Sequence, residues 1–265
     1  MLIDFHTHLF PDALAPRTLP MLAATANAPY YTDGTVAGTL TAAADWGVDY
    51  NVVLHIATRP GQQRTINDFA KRVQDDHPNF LCFGTVHPKD PQALPELARI
   101  RALGLYGVKL HLAYQECFAG DEAYFPLYEE MERLGLPVLF HAGIDPVSPV
   151  NYAPAEALAA VARAFPRLTV IAAHMGALME PREGAKLCGY DNVYFDTAMS
   201  SIHLDPGDYA ALLRKRGPEH VLFGTDCPWN TVAAELGRLE TLGLSADELE
   251  DVKWRNAARI LGLKL

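Results

Sequence analysis

The sequence predicts an α/β protein, a single-domain (β/α)8 TIM barrel over residues 1–265 with an extra C-terminal helix. Three observations carry that expectation. Eight short apolar runs alternate with stretches of helical period, and helical crossovers join parallel strands. Most of the runs are apolar throughout, as strands buried on both faces must be. No run is followed by a glycine-rich phosphate loop, so an open doubly wound sheet has no support.

The first strand is Leu2-Ile3-Asp4-Phe5-His6-Thr7-His8. Residues 12–34 hold several prolines and little period, and read as a long loop with at most a short helix. A helix over 35–46 stops at Gly47, and residues 50–56 form a second, almost wholly apolar strand. The helix over 61–77 sets Ile66, Phe69, Ala70 and Val73 at helical spacing. Strand three covers 80–86, and the helix over 91–103 ends at Gly104. Strand four covers 105–111, and its helix over 122–134 stops at Gly135. Strand five covers 137–141, with an alanine-rich helix over 154–165. Strand six covers 168–174, with a weaker helix near 180–188. Strand seven covers 192–196 with a helix over 207–215, and strand eight covers 220–226. Helices over 230–242 and 246–261 close the chain.

Composition narrows the function. The formal charge of −10 argues against nucleic acid or an anionic membrane as partner. The N-terminal apolar run is broken at once by Asp4 and two histidines, which is unlike a secretion signal. No apolar run approaches the roughly 20 residues of a membrane span. Cys82, Cys117, Cys188 and Cys227 lie far apart with no CxxC spacing, and read as reduced thiols. A cytoplasmic protein acting on a small molecule is expected, with a homodimer as the assembly to consider.

In a barrel the active site lies at the C-terminal ends of the strands. Those ends carry His6 and His8, Lys109 and His111, His141, His174, Asp196 and Asp226. His6, His8, His141 and Asp226 offer donors suited to zinc or another divalent first-row metal. Such an ion activates water and polarises a carbonyl, and Asp226 beside it could also carry a proton. His174 is either a ligand to a second metal or an unligated base or electrophile. Lys109 has three readings: it binds a substrate carboxylate, bridges two metals as a carbamate, or forms a structural ion pair. His111 shares its face and is assigned to substrate. Asp196 is placed to orient a ligand histidine from behind. His55, His87, His203 and Arg59 lie near the mouth and read as solvated loop residues, and His77 and His220 as surface residues. Cys227 is read as packing.

In this order the motifs resemble the amidohydrolase superfamily, in the group that includes aminocarboxymuconate-semialdehyde decarboxylase and related hydrolases. The matching segments are Asp4-Phe5-His6-Thr7-His8, Gly107-Val108-Lys109-Leu110-His111 and Pro137-Val138-Leu139-Phe140-His141-Ala142-Gly143. Ala173-His174-Met175-Gly176, Leu222-Phe223-Gly224-Thr225-Asp226-Cys227-Pro228-Trp229 and Asn256-Ala257-Ala258-Arg259-Ile260-Leu261-Gly262 complete the set. The resemblance implies a distorted (β/α)8 barrel with a divalent metal at its mouth, held by His6, His8, His141 and Asp226. It makes His174 the catalytic histidine of one-metal members or a ligand in two-metal ones. The chain is short for the decarboxylases of this group, and Leu110-His111 after the strand-four lysine need not signal a carbamate.

The leading expectation is therefore a metal-dependent hydrolase of a small amide, ester or lactone. Asp226 and His174 would be catalytic and Lys109 and His111 would bind substrate. The metal is zinc ahead of manganese, one or two ions per chain. The alternative is a non-oxidative decarboxylase of a small unsaturated or aromatic carboxylic acid, using the same residues. A non-catalytic metal-binding barrel is the third reading.

Overall fold

The computed structural model describes residues 1–180 and 182–265. The strands are β1 (Ile3–Thr7), β2 (Tyr50–Leu54), β3 (Phe80–Thr85), β4 (Val108–Leu110), β5 (Val138–Phe140), β6 (Val170–Ala172), β7 (Val193–Asp196) and β8 (Val221–Leu222). They form one sheet in sequence order, every neighbouring pair parallel. The chain beyond β8 closes the barrel against β1. Phe5 N–H donates to the Phe223 carbonyl at 2.7 Å, Asp226 N–H to the His6 carbonyl at 2.9 Å, and His8 N–H to the Cys227 carbonyl at 2.6 Å. Asp4 stitches the same seam, accepting from Thr225 Oγ1 at 2.6 Å and Thr225 N–H at 3.0 Å.

The helices are α1 (Ala15–Ala26), α2 (Val36–Trp46), α3 (Gln63–Asp76), α4 (Ala93–Ala102), α5 (Leu112–Gln115), α6 (Phe125–Leu134), α7 (Ala155–Ala164), α8 (Ser200–His203), α9 (Pro206–Arg216), α10 (Val232–Leu239), α11 (Ala246–Glu250) and α12 (Asn256–Leu261). A π-helical turn, Asp251–Arg255, joins the last two. Local chemistry sets their ends. The Thr35 and Thr231 side chains accept from the first turns of α2 and α10, and Ser245 and Glu248 form a reciprocal capping box on α11.

Two expectations need correction. Residues 12–34 contain a full helix, α1, rather than a loop with a fragment. Pro16 falls in its first turn, where a missing N–H costs nothing, and Ala15 and Leu19 bury one side. The helix expected near 180–188 is instead a 3-10 turn, Gly184–Leu187; its position 181 lies outside the described residues. A Cβ on Gly184 would stand 2.4 Å from the Met175 carbonyl oxygen, so this segment is pressed onto the backbone after β6.

The strands bury both faces. Ile3, Phe5, Val52, Leu54, Leu81, Phe83, Leu139, Ile171 and Leu222 pack together inside the barrel, with Ala257, Ala258 and Leu261 of α12 against them. Val53, Cys82, Val108, Val138, Phe140, Val170, Val193 and Val221 pack outward under the helices. Between Asp4 and Thr7 the β1–β2 register slips: three steps on β1 match two on β2. That bulge matters for the site. Under strict alternation His6 and His8 would face away from Phe5, and one extra residue reverses the parity.

A buried carboxyl outside the barrel mouth gives a pH test. Glu235 on α10 accepts from Ser201 Oγ and Asn230 Nδ2, both at 2.8 Å. Burial outweighs these donors and pushes its carboxyl up to about 8. The unfolded chain releases this proton near 4.3. The stability it contributes is thus fully present below that value and is lost as pH rises through about 8. Glu235→Gln cannot titrate, and should remove a loss on the order of a few kcal/mol between about pH 5 and pH 9. Urea melts at both pH values check this; an identical pH dependence in both proteins would refute it.

Candidate metal centre

β1 and the seam residue after β8 place three acceptor atoms together. His6 Nε2 and His8 Nε2 are 3.2 Å apart. Asp226 Oδ1 lies 3.3 Å from His6 Nε2 and 3.2 Å from His8 Nε2. Asp226 holds this position with a left-handed backbone, φ 68°. His6 sits directly on Gly224, where an added Cβ would come within 2.9 Å of the histidine Cβ.

The hydrogen bonds fix which ring nitrogens carry protons. His6 Nδ1 donates to Asp196 Oδ2 at 2.8 Å, and His8 Nδ1 donates to the Leu54 carbonyl at 2.9 Å. A carbonyl or carboxylate oxygen can only accept here, so in each neutral imidazole Nε2 is a bare lone pair. Two lone pairs and a carboxylate oxygen then face one another with no proton among them. Four-coordinate zinc, with bonds of about 2.0–2.2 Å, spaces its donors roughly 3.3–3.6 Å apart. The observed spacings fit a divalent ion, and the acceptor-only donor set calls for a cation.

Burial keeps the imidazoles neutral. It lowers His6 and His174, and drives His111 and His141 well below the usual histidine range, with neighbouring cationic groups adding to the effect at the last two. Burial alone would raise Asp196 and Asp226, but His6 and its neighbours outweigh it and hold both carboxyls down.

His174 joins this group: one donor atom each from His6, His174 and Asp226 lie within 4.8 Å of one another. Its N–H donates to Asp196 Oδ1 at 2.8 Å, so one carboxylate fixes both His6 and His174. Its Nδ1 donates to the Ala198 carbonyl at 3.0 Å, and its Nε2 lies 3.1 Å from His141 Nδ1. The expected ligand set is thus divided. His6, His8 and Asp226 converge, while His141 reaches them only through His174. The His141 ring stacks on His111, centroids 4.2 Å apart at 15°, and both turn toward Asp145.

Lys109 lies at the centre, fully buried, and its Nζ has no hydrogen-bond partner among the described residues. Burial pulls its ammonium down to about 8 against the opposing pull of Asp196, Asp226 and Asp145. Of the three readings of Lys109, the structural ion pair is not made among the described residues. Asp145 was not anticipated, because an aspartate four residues after His141 in a loop looks like any turn residue. His55 and His87 are buried, not solvated: His55 Nδ1 donates to the Phe83 carbonyl at 3.1 Å, and the Lys89 N–H donates to His87 Nδ1 at 3.2 Å. His203 and Arg59 are exposed, His77 and His220 half-buried, and Cys227 is buried. Among the described residues no helix is long and apolar enough to cross a membrane.

The sequence profile described as amidohydrolase matches residues 3–263. The fold matches solved structures along their whole length. 5-Carboxyvanillate decarboxylase LigW from Sphingomonas paucimobilis is 19% identical, with 99% of each chain covered and a TM-score of 0.76. 2,6-Dihydroxybenzoate decarboxylase from Rhizobium is 18% identical, with 99% of this chain and 98% of that chain covered and a TM-score of 0.76. A dihydroxybenzoic acid decarboxylase from Polaromonas sp. JS666, with bound manganese and 2-nitroresorcinol, is 15% identical over 99% and 97% at 0.75. These neighbours overturn the leading expectation of amide, ester or lactone hydrolysis, since the reaction their names state is decarboxylation.

Proposed function

The chain belongs to the amidohydrolase family, and from that premise we propose a metal-dependent, non-oxidative decarboxylase of a small unsaturated or aromatic carboxylic acid. The observation that carries this reading is Lys109, a buried ammonium with no hydrogen-bond partner among the described residues, beside the acceptor cluster. A buried cation calls for an anion, and a substrate carboxylate supplies one.

His6, His8 and Asp226 would hold a divalent ion, zinc or manganese, with His141 and His174 next to it. When bound, that ion supplies positive charge and Lewis acidity beside the substrate. Lys109 binds and orients the substrate, with His111 on the same face. The bond between the carboxyl carbon and its neighbour breaks, the electron pair stays on the neighbour, and carbon dioxide leaves. That carbon then needs a proton. Asp226 takes a proton from solvent as substrate binds and returns it to the vacated carbon, and His174 is the second proton-handling group. Burial of the surrounding imidazoles excludes water from the vacated carbon.

The test is product analysis. Protein loaded with manganese or zinc is incubated in deuterated water with a panel of benzoic and unsaturated carboxylic acids. Release of carbon dioxide with one deuterium at the vacated carbon is expected. Net addition of water to a substrate, with carbon retained, would overturn the reading.

A further inference from the structure

Glu235 on α10 is a fully buried carboxyl that neither binds the ion nor touches substrate. Its Oε1 accepts from Ser201 Oγ and Asn230 Nδ2, both at 2.8 Å, and from the Ser201 N–H at 3.1 Å. Its Oε2 lies 3.2 Å from the same N–H. Asn230 Nδ2 also donates to Ser201 Oγ at 3.0 Å. Ser201 follows β7 and Asn230 follows β8, so one side chain ties together the loops after two neighbouring strands.

Both loops need such a tie. α8 is a single turn of four residues, too short to hold itself together. The first N–H groups of a helix lack helical partners, and no side chain at its N-cap, Met199, accepts from them. Glu235 takes the Ser201 N–H instead. Met199 is left-handed, φ 60°, a conformation that a side chain disfavours and that its surroundings must enforce. The residue before it is Ala198, whose carbonyl accepts the His174 Nδ1 hydrogen. On the other loop Asp226 is left-handed as well, φ 68°. Its carbonyl accepts from the N–H of Trp229 at 2.8 Å, one residue before Asn230.

We propose that Glu235 is a positioning residue for the metal centre: by clamping Ser201 to Asn230 it holds the Ala198 carbonyl on His174 and the Asp226 carboxylate against His6 and His8. This assignment rests on the centre described above and not on the reaction proposed for it.

Three variants test the clamp. Glu235→Leu deletes all of its bonds at similar volume. Burial pushes the Glu235 carboxyl up to about 8, so it is protonated at neutral pH, and Glu235→Gln keeps both its charge and its accepting oxygen. Asn256→Ala is the control. It removes a buried side chain that bonds the Pro218 and Val221 carbonyls at the opposite end of the barrel. Circular dichroism confirms that each variant is folded. The first readout is nitrogen-15 resonance of labelled histidine rings in metal-free protein, with the His174 signals identified by their loss in His174→Gln. Glu235→Leu should turn the single Nδ1–H form of His174 into a mixture of tautomers, while Glu235→Gln and Asn256→Ala keep the parent form. The second readout is cobalt(II) binding by equilibrium dialysis. Its dissociation constant should rise roughly 10-fold to 100-fold in Glu235→Leu and stay near the parent value in the other two. A parent-like His174 spectrum or parent-like cobalt affinity in Glu235→Leu would overturn the role. So would equal damage in Glu235→Gln or in Asn256→Ala, since the effect would then be one of general stability. A parent that takes up no cobalt would sink the metal centre itself, and the histidine spectra alone would then decide for or against Glu235. Should Glu235→Leu fail to fold, Asn230→Ala cuts the β8 arm of the clamp, and its cobalt affinity is read in the same way.

Discussion

Asp226→Asn should retain much of the bound metal yet lose roughly 10³-fold in turnover at every metal concentration. The variant keeps the side chain's shape and one oxygen donor, and its backbone N–H still bonds to His6. What it loses is the charge at an atom that sits 3.2–3.3 Å from two bare imidazole nitrogens. A neutral amide cannot take up and return a proton. His8→Ala is the control. It removes one neutral donor, so metal affinity should fall first and excess metal should restore part of the activity. Turnover against added metal, with bound metal measured in parallel, separates the two. If Asp226→Asn recovers with metal as well as His8→Ala does, the carboxylate is a ligand and carries no proton.

The second large effect is expected at Lys109. Lys109→Met keeps the aliphatic stem and deletes the ammonium. Losing a buried partner for a carboxylate costs on the order of 2–5 kcal/mol, so kcat/KM should fall by roughly 30-fold to 4,000-fold. The folded protein should not suffer, because the ammonium has no hydrogen bond to lose among the described residues. Replacing an unpaired buried charge by a methyl-tipped chain is expected to leave Tm equal or higher. The two readouts must move apart. A variant that melts well below the parent with unchanged kcat/KM would make Lys109 a structural residue.

Much of the fold was legible because all-apolar runs spaced by helical segments have few other solutions. The runs at 137–141 and 168–174 show this: both become short buried strands with a histidine just past the end. The residues at the mouth were legible for the same reason, since strand ends are where a barrel keeps its polar groups. Their grouping was not. Period-two logic applied to Phe5 and His6 puts them on opposite faces, and only a bulge in register brings both inside. No local pattern announces that slip. Asp145 escaped because its partner His111 lies just past the end of β4, a relation visible only in three dimensions. The prolines at 11, 16 and 20 masked α1, whose stability comes from burying Ala15 and Leu19.

The seam between β1 and the chain after β8 has a consequence for how the protein is made. Asp4 and Thr225, 221 positions apart, bond to each other directly beneath His6. His6 and His8 leave the ribosome more than 200 positions ahead of Asp226. Until Asp226 is made, the two histidines lack that carboxylate and have no closed barrel around them. Ion capture and ring closure are therefore one event, and a nascent chain halted before residue 221 would carry β1 to β7 and no metal centre.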